Sequence, residues 1–190
     1  VQTFADQAVI AIENVRLFEQ VQARTRDLTE ALTYQTGSAN ILRVIASSPT
    51  DVGPVLQAIV DSACELCEAH DALVHLREGN HLRYRAHHGP IPFGFAKLPS
   101  GGEPIPFGSE KLPINRNWVT GRSVVDKVPV HVHDVLSAEG ADFPEAQRLS
   151  SREGTRTILS VPLLRDNESI GAIILRRTEV NPFSEKQIAL

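Results

Sequence analysis

Two apolar runs near the end of the chain dominate its hydrophobic pattern. Thr157-Ile158-Leu159-Ser160-Val161-Pro162-Leu163-Leu164 has the length and β-branched content of a strand, and Ile170-Gly171-Ala172-Ile173-Ile174-Leu175 is a second such run. The polar turn from Arg165 to Ser169 between them predicts an antiparallel hairpin. Arg176 and Arg177 are expected to end it where the chain returns to water. An earlier hairpin is predicted over 71–77 and 81–87, joined at Glu78-Gly79-Asn80. In its second strand Leu82, Tyr84 and Ala86 alternate with Arg83 and Arg85, so the three apolar residues are expected to share one face. Pro129 to Val135 reads as a further strand. The expected sheet thus contains 71–77, 81–87, 129–133, 157–164 and 170–176.

The remaining pattern is helical. Residues 3–34 form one long predicted helix in which Ile10, Leu17, Val21, Leu28 and Ala31 recur at near-heptad spacing, interrupted by Asn14 and Arg24. It reads either as a solvated connector or as a helix that needs a partner along its seam. Thr36-Gly37-Ser38 is expected to break it, with Ser38 capping a short helix that carries Ile41, Leu42 and Ile45. Asp51 to Glu68 form the next helix, with Pro54 in its first turn and Val55, Ile59, Val60, Ala63, Leu66 and Cys67 on one face. These two helices are expected to cover one side of the sheet. Phe143 to Glu153 read as a polar helix. Ser184 and Gln187 have the spacing of a capping box, and Phe183 before the cap is placed to staple onto Ile188. That helix reads as cut after about two turns. Val1 to Phe18, written after Leu190, continues its apolar phase, which predicts one period of a tandem array.

Between the two hairpins the pattern PIPFGxxKLP occurs twice, at Pro90–Pro99 and Pro104–Pro113. Proline at that density argues against regular helix or sheet pairing and predicts an extended, mobile loop. Drift by duplication is an equal reading, since surface loops lengthen cheaply.

The C-terminal hairpin, the start PFSEKQIAL and the stretch FADQAVIAIENVRLF together resemble the GAF domains of bacterial multidomain signalling proteins, above all the tandem copies ahead of histidine kinase or nucleotide cyclase outputs. The resemblance implies an α/β (α+β) fold: a GAF-like antiparallel sheet with helices on one face and a lid loop on the other, preceded by a long N-terminal helix. It implies residues 1–37 as the linker helix of a preceding copy and 38–190 as the GAF domain, truncated within its C-terminal helix. Asn117 to Val125 match the short helix after the lid, and 90–113 occupy the lid's place. A ligand between sheet and lid would then lie near Tyr84, Trp118, Thr120, Ser123, His131, Thr157 and Leu159. The implied role is a cytoplasmic, non-catalytic sensor module that signals through its terminal helices. The alternative is a spacer that binds nothing and only dimerises.

Composition narrows this further. Apolar residues make up 42% of the chain and charged residues 22%, ordinary for a folded soluble domain. The net charge of −4 gives no support for nucleic-acid binding, and no apolar run approaches the ~20 residues of a membrane span. Cys64 and Cys67 form a C-x-x-C late in a helix on its apolar side, where burial is the better reading than redox or metal chemistry. His131 and His133, with His87-His88, offer imidazoles but no fourth ligand at fixed spacing, so no metal or cofactor is expected. No nucleophile elbow, phosphate loop or paired-carboxylate signature occurs, which leaves no catalytic constellation. The exposed seam of the first helix predicts a homodimer through residues 4–33, with neighbouring GAF and output domains as further partners.

Overall fold

A computed structural model describes residues 2–47, 51–91 and 111–189. It divides into two compact units, Val1–Asn40 and Ile41–Leu190. The expected loop over 90–113 therefore lies largely outside the described residues.

Helix α1 (Gln2–Ser47) is a single helix and does not break at Thr36-Gly37-Ser38. One internal glycine costs only about 1 kcal/mol, too little to end a long helix without a competing cap. The Thr36 hydroxyl instead donates to the carbonyl of Leu32, 2.8 Å away, one turn back. Thr25, Thr29 and Thr33 do the same to Val21, Thr25 and Thr29.

In the second unit a six-stranded antiparallel sheet has the order β3-β2-β1-β6-β5-β4, built from β1 (Asp71–Glu78), β2 (His81–His88), β3 (Lys111–Pro113), β4 (Val130–Val132), β5 (Thr157–Arg165) and β6 (Glu168–Arg177). All five expected strands are present. The sixth, β3, comes from the proline-rich repeat and pairs with His81–Arg83. Three residues at a sheet edge need few ladder bonds, so a terminal proline is tolerated there. The β5–β6 turn is tight because Asp166 (φ 51°) and Asn167 (φ 64°) both adopt the left-handed conformation of a type I′ hairpin.

Helix α2 (Val52–Leu66) starts at Asp51, whose carboxylate accepts the Gly53 N–H at 2.9 Å. It lays Leu56, Val60 and Cys64, with Cys67 at its cap, on Ala72, Val74, Ala86, Leu159 and Leu175. The buried stripe is rotated from the expected one: Leu56 is core, whereas Val55 is half-exposed. Leu42, expected on the sheet-facing side of the preceding helical stretch, is 66% exposed. The opposite face of the sheet carries Leu73, Leu82, Tyr84, Ile158, Ala172 and Ile174. It is covered by α3 (Val119–Asp126) and α4 (Pro144–Glu153), the latter preceded by a 3-10 turn over Ala138–Asp142.

A bulge between Val74 and His75 overturns the simple alternation in β2. Val74 pairs with Ala86 but His75 pairs with Tyr84, so Arg85 is the extra residue. Tyr84 therefore faces α3 while Ala86 faces α2. The C-terminal helix α5 (Glu185–Ile188) has both bonds of the capping box, Ser184 with Gln187, and Phe183 and Ile188 enter the same cluster as α2. No helix among the described residues is long and apolar enough to cross a membrane.

Candidate functional site

The face of β1, β5 and β6 that looks toward α3 and α4 is not filled completely. A cavity of about 70 Å³ remains, with a floor of Leu73, Ile158 and Ile174. Trp118, Val119 and Thr120 at the start of α3 form one wall, and Ala146, Leu149, Ser150 and Glu153 of α4 form another. Gly121 lets α3 pack against the loop that leads into it: a Cβ there would run into the carbonyl oxygen of Asn115. That approach holds Trp118 and Thr120 at the rim.

The floor ends in a buried ionic cluster. Arg176 donates to Asp71 from Nε (2.9 Å) and Nη2 (2.5 Å), both to Oδ1, and from Nη1 to Glu153 at 2.8 Å. Asp71 is fully buried, and its second oxygen accepts the Ile91 N–H at 3.0 Å and lies 2.7 Å from His87 Nε2. Glu153 sits in the last turn of α4, the end of a helix where a negative charge is disfavoured. The guanidinium offsets that and ties α4 to β6. His75, 98% buried among these groups, has its pKa pushed down to about 3 by burial first and by the Arg176 charge second. It is neutral at physiological pH and sits edge-on to Tyr84, ring centroids 6.0 Å apart.

Of the seven residues expected around a ligand, Trp118 and Thr120 line this cavity. Tyr84 lies in the same core beside His75. Ser123 is buried under α3, its hydroxyl 2.7 Å from that of Ser160 on β5, and is not on the cavity wall. The other three are on the far side of the sheet, because successive strand residues point to opposite faces. Leu159 packs under α2. His131, paired with Leu159, accepts the Phe183 N–H at 3.1 Å. The Thr157 hydroxyl donates to the carbonyls of His133 and Glu179 and accepts from Asn181.

Arg176 and Arg177 were expected in water, and both are buried. Arg177 points to the α2 face, where it donates to the carbonyls of Cys67 (2.7 Å) and Asn181 (2.7 Å) and stacks over Phe183. The ionic cluster was missed because its members lie far apart in the chain. The one local signal was the pair of arginines directly after an apolar strand.

The four histidines weighed as ligands do not converge. His131 and His133 are in ring contact at 4.5 Å, but His87 lies four strands away across the sheet, about 19 Å at strand spacing. His88 instead meets Asp61. Both cysteines are free and buried, and burial pushes the Cys64 thiol up to about 11 and raises that of Cys67. Neither is poised as a nucleophile.

The model of the family described as GAF domain matches residues 51–190. A GAF domain/HD domain protein from Geobacter sulfurreducens is 22% identical, with a TM-score of 0.58 over 75% of this chain and 86% of that one. Free methionine-R-sulfoxide reductase from Neisseria meningitidis, solved with its substrate, is 16% identical, with a TM-score of 0.58 over 85% of this chain and 82% of that one. The GAF domain of an Acinetobacter phosphoenolpyruvate-protein phosphotransferase is 13% identical, with a TM-score of 0.54 over 81% and 84%. These identities carry the fold and nothing finer. No curated protein matches the chain. With a six-stranded antiparallel sheet, helices on both faces and a family match over most of its length, this chain belongs to the GAF domain family, whose members are regulatory or sensor modules.

Proposed function

We propose that this chain is a non-catalytic sensor module which binds a small molecule in the cavity between the sheet and helices α3 and α4. The observation that carries the reading is the cavity itself, formed between the central strands and two helices and lined mainly by apolar side chains. A route outward starts at its floor. Arg176 holds the cavity wall through Glu153, while the next residue, Arg177, holds the carbonyl of Cys67 at the cap of α2 and the segment leading to α5. A shift at the end of β6 on ligand entry would thus reach both α2 and α5, and through them neighbouring GAF and output domains of a cytoplasmic kinase or cyclase. Native mass spectrometry of the purified chain, beside an Ile174→Phe variant that fills the cavity, tests this. A bound mass present in the parent and lost in the variant is expected. Identical spectra with no added mass, and no ligand-induced change in hydrogen exchange of α2 and α5, would overturn it.

The second reading is a dimerising spacer. It is favoured by α1, which leaves Val9, Ile12, Val15 and Phe18 each at least 59% exposed. A spacer would keep its assembly unchanged when the cavity is filled.

A further inference from the structure

One hydrogen bond on the α2 face of the sheet exists only while an imidazole is neutral. The backbone N–H of Phe183 donates to Nε2 of His131, 3.1 Å away. A backbone N–H can only donate, so Nε2 carries its lone pair and the ring proton sits on Nδ1. Protonating the ring sets a second donor against the first and removes the bond. The two rings are also in contact, centroids 5.7 Å apart, and the Arg177 guanidinium rests 4.1 Å from the centroid of Phe183. An imidazolium would therefore meet a positive charge as well.

The charged and titratable groups around His131 come from several elements. On β4 itself His133 is in ring contact at 4.5 Å, and its Nδ1 lies 3.2 Å from Glu139 of the 3-10 turn. Burial first, then the His133 and Arg177 charges, lower the pKa of His131 below the ordinary 6.5, while Glu139 partly offsets them. Opposite on β5 stand Ile158, Leu159 and Ser160, none of them charged. The cap of α2 brings Cys67, whose thiol is kept protonated by burial. The segment that follows β6 carries Glu179, Glu185 and Lys186.

What the bond holds is the approach to α5. Phe183 directly precedes Ser184, the cap of that helix, and is 4% exposed. Asn181 is tied through its carbonyl to Arg177 (2.7 Å), and the Gln187 side chain donates to the carbonyl of Cys67 (3.0 Å). A buried N–H that loses its acceptor is costly, so the segment gains by lifting toward water. We infer that His131 is an acid-sensitive latch: neutral, it holds Phe183 and with it α5 against the sheet, and protonated it releases them. The latch lies on the face opposite the cavity, so it operates whether or not the cavity takes a ligand. The released form takes up a proton that the docked form refuses, so docking is complete above about pH 6.5 and weakens as pH falls below that.

NMR on the full chain tests this through amide protection factors at pH 7, 6 and 5 and the tautomer of His131. The parent should show the Nδ1–H tautomer at pH 7, and protection of Phe183 and Ile188 should fall about tenfold by pH 5 while Ile174 in the central strand keeps its own. In His131→Gln the amide oxygen reaches the place of Nε2 and does not titrate, so protection should stay level. His131→Phe should be as weakly protected at pH 7 as the parent at pH 5, and His133→Gln should keep the acid loss. An Nε2–H tautomer in the parent would overturn the inference without any variant. So would unchanged Phe183 protection through the titration of His131, the same acid loss in His131→Gln, or a parallel loss at Ile174, which would make the event global unfolding.

Discussion

Asp71 and Arg176 form the pair on which the interior depends most. Both side chains are almost inaccessible, and the carboxylate serves an arginine, an imidazole and a backbone N–H at once. Removing one partner would strand a buried charge, so Asp71→Ala is expected to cost about 3–5 kcal/mol, read from the urea midpoint. Arg85→Ala breaks an ion pair with Glu78 that lies in water, and should cost under about 1 kcal/mol by the same measurement. His75 makes the domain acid-sensitive. Its folded pKa of about 3 lies below the ordinary 6.5, so between those values the unfolded chain takes up a proton that the folded one refuses. Stability is therefore complete above about pH 6.5 and falls as pH drops toward 3, by at most about 1.4 kcal/mol per unit. His131, lowered chiefly by burial, adds to the same slope. Unfolding by urea at pH 7, 6 and 5 should show the decline, and His75→Phe should flatten most of it. An unchanged slope in that variant would assign the acid sensitivity elsewhere.

At the scale of elements, strand positions were legible in the chain and strand facing was not. Each of the five expected strands is present, since β-branched runs bounded by Gly, Asn and Pro admit little else. Which residues look toward the cavity depends on parity, and TILSVPLL is apolar at odd and even positions alike. A strand buried on both faces carries no alternation to read. That is why Thr157 and Leu159 were expected at the site while Ile158 lines it. In β2 alternation existed and still misled, because a single extra residue at Arg85 reverses it. The helix over Thr36-Gly37 failed for another reason: local breakers act only where a competing cap forms. Gly121 is the one glycine on which the cavity wall rests. Gly121→Ala must push α3 off Asn115, and is expected to lower stability by about 1–3 kcal/mol and to shift Trp118 emission in the same variant. A stable variant with native emission would show that α3 has slack.

For the whole molecule the open question is what covers α1. Its exposed apolar side chains run from Phe4 to Leu42, each worth roughly 1.5–3 kcal/mol on full burial. A second copy presents the same seam, so a two-fold partner is the economical cover. Chains lacking residues 1–36 are expected to sediment as monomers, or as far weaker dimers, at micromolar concentration. An unchanged dimer would place the interface elsewhere and remove the case for signalling along this helix.

The rims of the sheet bear on a different property. Both outermost strands, Lys111–Pro113 and Val130–Val132, are only three residues long. One ends in a proline that has no N–H to give, and begins with a lysine that resists dehydration. Sheets elongate from chain to chain by adding strands to long, bare margins, and this one has none among the described residues. Neighbouring copies strung along one polypeptide, where local concentration is high during synthesis, would therefore find little template for cross-pairing. Were such copies present, the margins would keep them as separate folding units.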